Sequence, residues 1–153
     1  MDRRLILIAA GGSAALLLGA FGFQLMGYAP CELCLWQRWP HGAAVLAGAL
    51  AILTRARLMA WIGALSAAAT GALGIYHTGV ERAWWTGPTA CSSSGDLAGS
   101  ADDLLNQIMS APLVRCNEVA WSFAGLSMAS WNAVLSFALA LLWVLAARSL
   151  ARP

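Results

Sequence analysis

From Leu5 to Tyr28 the chain runs 24 residues without a charged side chain. As a helix this is about 36 Å at about 1.5 Å per residue, enough to cross a bilayer core of roughly 30 Å. Gln24 is the most polar member of the run. Two further uncharged runs of 19 residues follow, Leu58 to Tyr76 and Ala129 to Ala147, the last with Asn132 near its start. A fourth, Gly42 to Leu53, has only twelve residues, about 18 Å, and does not span alone. Extended back to Leu35 it gains the length but takes in Arg38, which places Arg38 at or near the membrane interface. Charged residues make up 10% of the chain, against about 25% in a soluble domain, so there is little to clothe a water-facing surface. The net charge of +2 and the lack of a basic run argue against a nucleic-acid partner.

The expected fold class is therefore an all-α membrane protein, a four-transmembrane-helix bundle forming a single domain over residues 1–153. Its spans lie at about 5–28, 35–53, 58–76 and 129–147, with a long periplasmic loop at about 77–128. A cleaved signal peptide is disfavoured, because the first run is long and no small-x-small site ends it. Arg3, Arg4, Arg55, Arg57, Arg148 and Arg152 fall on one side of the bundle, and Arg38, Arg82 and Arg115 on the other. The positive-inside rule then puts both termini in the cytoplasm. Within the loop, Ser100-x-x-Asp103 reads as a capping box. It opens a short amphipathic helix with Leu104, Leu105, Ile108 and Met109 on one face.

All four cysteines, Cys31, Cys34, Cys91 and Cys116, fall on the extracytoplasmic side, where disulfides are permitted. Cys31 with Cys34 and Cys91 with Cys116 are the natural pairs. A Cys91–Cys116 bridge has a fair structural reading, since closing a loop of that length stabilises by about 3 kcal/mol. A C-x-x-C bridge closes almost no loop. Its spacing commonly lowers a thiol pKa and leaves the bond exchangeable. Four cysteines also satisfy the count for a zinc site, but the second pair is not C-x-x-C.

Arg38 follows Cys34 by four residues, so on a helix the two share a face, and a guanidinium there favours a thiolate. The plainer reading of Arg38 is an end-of-span arginine snorkelling to headgroups. His77 ends the third span and reads either as an interfacial histidine or as a hydrogen-bond partner for an electron acceptor. His41, after Pro40, reads as a boundary residue. Trp36, Trp39, Trp84 and Trp85 read as belt aromatics.

Taken together, these residues resemble the DsbB family of bacterial inner-membrane thiol oxidases, which keep the periplasm oxidising. The resemblance runs through Pro30-Cys31-x-x-Cys34-x-x-x-Arg38, the loop cysteines Cys91 and Cys116, and the stretch from Cys116-Asn-Glu through Trp121, Phe123, Gly125, Leu126 and Met128 to Trp131. It implies a protein-disulfide oxidoreductase that re-oxidises a periplasmic thioredoxin-fold DsbA-like partner at Cys91–Cys116. Cys116 then attacks Cys31, and Cys34 is released as a thiolate facing a membrane quinone, ubiquinone or menaquinone. Arg38, Cys34 and His77 would be the quinone-side residues. The Ser/Gly-rich stretch after Cys91 departs from the family pattern. A vitamin K epoxide reductase-like enzyme is the nearest rival, but it usually places its loop cysteines before the C-x-x-C. A non-enzymatic membrane scaffold with structural disulfides is the alternative outside enzymes.

Overall fold

The computed structural model describes residues 3–88, 100, 102, 105, 109 and 114–149. Among them are four long helices: α1 (Arg3–Leu25), α2 (Glu32–Thr54), α3 (Arg57–Glu81) and α4 (Met128–Ser149). A two-stranded hairpin, β1 (Ser122–Phe123) with β2 (Leu126–Ser127), precedes α4. Three of the helices, α1, α3 and α4, are long and apolar enough to cross a membrane. The chain is thus a mostly helical membrane protein. α2 equals α1 in length but carries Glu32, Gln37, Arg38 and His41 in its first half.

α3 lies at the centre, packed on α4 and α2, and α1 closes against α2 and α4. Lipid offers no hydrophobic drive between helices, so close packing of small residues must hold them. The core shows this: Ala60, Ala64 and Ala67 of α3 meet Ala140, Trp143 and Ala147 of α4. Gly63 seats the Trp143 ring, and a Cβ there would come within 2.7 Å of it. At Gly74 a Cβ would lie 2.9 Å from the Ala129 carbonyl oxygen, so the α3 and α4 backbones meet there.

The helix ends differ from the hydropathy runs where turns intervene. α1 stops at Leu25, and Gly27 turns the chain at φ 97°. α2 begins at Glu32, with Cys31 as its N-cap. α3 continues through His77 to Glu81, so His77 lies inside the helix rather than at the start of a loop. Hydropathy missed this turn because His77 and Glu81 are polar, yet both side chains are buried. The hairpin was also unforeseen. Its turn places Ala124 and Gly125 at φ 52° and 78°, the paired positive values of a tight hairpin turn. Ser127 then caps α4 by accepting the Ser130 N–H at 3.2 Å. The expected amphipathic helix after Ser100 lies for the most part outside the described residues, as does Cys91.

Candidate functional site

The site begins at the N-terminus of α2. Cys31 caps the helix, and its Sγ accepts the Cys34 N–H at 3.3 Å. The three-residue spacing folds Cys34 back over the cap, so the two free thiols lie 2.8 Å apart at Sγ. Cys31 is buried at 4% exposure, while Cys34 is half-buried. The Cys34 sulfur at hydrogen-bond distance, together with burial, pushes the Cys31 thiol well above the usual range. The first proton of the pair therefore leaves from Cys34, at the positive end of the helix dipole.

Cys116 is fully buried and disulfide-bonded. It packs in one cluster with Cys31, Leu33 and Val80, with Cys34 at the edge. The structure thus brings three of the four cysteines together, across more than half the length of the chain.

His77 joins this cluster from α3. Its Nε2 lies 3.6 Å from Cys31 Sγ and 3.9 Å from Glu81 Oε1. The ring also hydrogen-bonds the Cys116 backbone. Behind it stands a buried polar chain that hydropathy did not single out. Gln37 Nε2 donates to the Leu33 carbonyl at 3.1 Å and lies 3.0 Å from His77 Nδ1. Asn132 Nδ2 donates to Gln37 Oε1 at 2.7 Å and to the Thr70 carbonyl at 3.3 Å. His41 Nε2 meets Asn132 Oδ1 at 2.9 Å. His41 is thus not a boundary residue: it is 3% exposed and ties α2 to α4. The signal that could have found this chain is the presence of Gln37, His41, Thr70 and Asn132 in or beside apolar runs, where polar groups are costly and mark function.

Arg38 turns the other way, toward α1. Its Nη1 donates to Gln24 Oε1 at 2.8 Å, and its guanidinium carbon sits 4.8 Å from the Phe21 ring centre. Its Nε is buried and has no hydrogen-bond partner among the described residues. Arg38 and Cys34 both line a cavity of about 440 Å³. Leu16, Ala20 and Phe23 of α1 and Leu135 of α4 supply its apolar walls. Trp121 flanks Phe23, with ring centres 5.1 Å apart. Such a space fits a flat, apolar molecule with a hydrogen-bond acceptor at one end, which the orphaned Arg38 N–H would meet.

The ligand atoms of Cys31, Cys34 and His77 lie within 4.8 Å of one another, close enough to hold a metal ion. The surrounding hydrogen bonds oppose this. A neutral imidazole binding metal through Nε2 carries its proton on Nδ1 and needs an acceptor there, but Nδ1 faces the Gln37 amide N–H.

Comparison with known proteins follows the same lines. The family model described as "Disulfide bond formation protein DsbB" matches residues 2–146. "Disulfide bond formation protein B 2" of Pseudomonas aeruginosa is 34% identical over 144 residues, covering 88% of this chain and 85% of that one. "Disulfide bond formation protein B" of Acidovorax sp. is 32% identical over 154 residues, covering 94% and 86%. Its namesake in Pasteurella multocida is 30% identical over 132 residues, covering 80% and 74%. No solved structure matches the chain.

Proposed function

The chain belongs to the DsbB family of membrane disulfide oxidoreductases, and on that premise we propose how its residues divide the work. The loop pair Cys91–Cys116 takes electrons from a reduced DsbA-like periplasmic partner, and the C-x-x-C pair passes them to a membrane quinone. The observation that carries this reading is the burial of Cys116 against Cys31, while Cys34 borders an apolar cavity with Arg38. In this reading α2 crosses the membrane as the fourth span, both termini are cytoplasmic, and the cysteines face the periplasm of the bacterial inner membrane.

The exchange runs in three steps. A partner thiolate attacks Cys91, the partner–Cys91 bond forms, the Cys91–Cys116 bond breaks, and Cys116 leaves as a thiolate. The partner's second thiolate attacks its own sulfur in the partner–Cys91 bond, so the partner leaves as a disulfide and Cys91 stays behind as a thiolate. Cys116 then attacks Cys31, so the Cys116–Cys31 bond forms and the Cys31–Cys34 bond breaks. Its electron pair stays on Cys34, the member of the pair that holds a negative charge more readily because the Cys31 thiol is pushed up. A quinone, ubiquinone or menaquinone, supplies the sink for two electrons and two protons. Arg38, which lines the cavity with Cys34, stabilises charge beside that sulfur. Phe23 and the α1 wall exclude water from it. His77 stands between the two exchanges, beside Cys31 and on the border of the cavity.

The test is purified protein incubated with a reduced thioredoxin-fold partner and either quinone, with free thiols counted over time. Quinone-dependent loss of partner thiols is expected, and it should vanish in Cys34→Ser. A Cys34→Ser protein that still oxidised the partner would sink this scheme, and a structural scaffold would show no such oxidation at all.

A further inference from the structure

Two backbone carbonyls fix the direction of the buried amide chain. Gln37 Nε2 lies 3.1 Å from the Leu33 carbonyl oxygen, so turning the amide over would set oxygen against oxygen. Asn132 Nδ2 lies 3.3 Å from the Thr70 carbonyl oxygen, which holds that amide in the same way. The Gln37 amide has two hydrogens. One goes to Leu33 and the other to His77 Nδ1 at 3.0 Å. Nδ1 must then be the lone-pair nitrogen of a neutral ring, and the ring proton sits on Nε2. That nitrogen is the one facing Cys31 Sγ at 3.6 Å.

We propose that Gln37, oriented by Asn132 and Thr70, is a positioning residue that keeps the His77 proton on Nε2, where it serves the Cys31 sulfur during exchange with Cys116. The inference rests on the exchange sequence proposed above. When the loop pair re-forms, the Cys91 thiolate attacks Cys116 within the Cys116–Cys31 bond. The Cys91–Cys116 bond forms, the Cys116–Cys31 bond breaks, and the electron pair stays on Cys31. A sulfur buried beside Cys34 is a poor leaving group, because both neighbour and burial disfavour its anion. The His77 N–H donates to that anion without giving up its proton. The same ring lies against the Cys116 backbone, beside both reacting residues. With Gln37 absent, a proton on Nδ1 no longer meets an amide N–H, so that tautomer gains population, and it has only a lone pair to offer the Cys31 anion.

The chain has two histidines, so the full-length protein labelled with [15N]histidine in detergent micelles gives a readable spectrum. Both rings are expected as the Nε2-protonated neutral tautomer. In Gln37→Leu the His77 signals should move to a mixture with the Nδ1-protonated form, while His41 stays unchanged. Reactivity is read in a Cys34→Ser background, where Cys31 is the only thiol of its pair. There Gln37→Leu should slow iodoacetamide alkylation of Cys31 about tenfold, the loss of one hydrogen bond to an anion. An Nδ1-protonated His77 in the parent protein, or unchanged alkylation in the variant, overturns the proposal. If Gln37→Leu does not fold, Asn132→Leu frees the same amide one step back, and the parent spectrum alone decides the tautomer. Neither readout uses a partner or a quinone. A parent that passes both but oxidises no partner would overturn the functional scheme, not the tautomer.

Discussion

Arg38 on α2 donates to Gln24 on α1 across 2.8 Å, which fixes the guanidinium along one wall of the cavity instead of leaving it to reach for headgroups. Gln24 interrupts an otherwise apolar run, and this contact gives it a task. Arg38→Ala should lower the rate of quinone reduction by about 10–100-fold, the loss of a hydrogen bond to a charged group. Gln24→Leu should lower it less, by several-fold, because the guanidinium remains but wanders. Stopped-flow quinone absorbance measures both, with partner exchange at Cys91 followed separately by trapping mixed disulfides. Equal quinone kinetics in all three proteins would return Arg38 to a lipid anchor.

The reduced protein should alkylate at Cys34 before Cys31 at neutral pH. The sign follows from the raised Cys31 thiol. A raised thiol stays protonated through neutral pH and becomes a nucleophile only as pH climbs, so the preference should narrow at high pH. Peptide mapping after a short alkylating pulse reads the order. Modification of Cys31 first would reverse the assignment of the leaving thiolate.

Asn132→Leu should destabilise the bundle by about 1–2 kcal/mol, since it strips a partner from Gln37 and leaves the His41 ring N–H without an acceptor. Unfolding in mixed micelles with rising SDS gives the shift. No shift would mean that the buried chain finds other partners once opened.

Gly74→Val should cost about 1–3 kcal/mol in the same assay, because a Cβ at 2.9 Å from the Ala129 carbonyl must push α3 from α4. Gly11→Ala, whose Cβ meets nothing within 4 Å, is the control and should be neutral or slightly stabilising. A neutral Gly74→Val would show that the two backbones separate freely.

Much of this protein is legible in its sequence. Runs of apolar residues dictate helices of membrane length, because backbone polar groups in lipid have no other way to be satisfied. The C-x-x-C spacing dictates neighbouring sulfurs at a helix start, because three residues make one turn at a cap. Arg38 one turn on follows from the same periodicity. Even the limits of α3 were obscured for a physical reason: His77 and Glu81 are polar by type but buried by neighbours that hydropathy does not see.

Tertiary structure decided what those residues face. Arg38 shares a helix face with Cys34 by sequence, yet the direction of its guanidinium depends on Gln24, fourteen positions away on another helix. His41 and His77 look alike as polar residues near span ends. Packing gives one to Asn132 and the other to Cys31, with Gln37 between them. Local periodicity carries information within a helix. Which nitrogen of an imidazole bears its proton depends on contacts 40 and 95 residues apart in the chain, and only the assembled bundle brings those together.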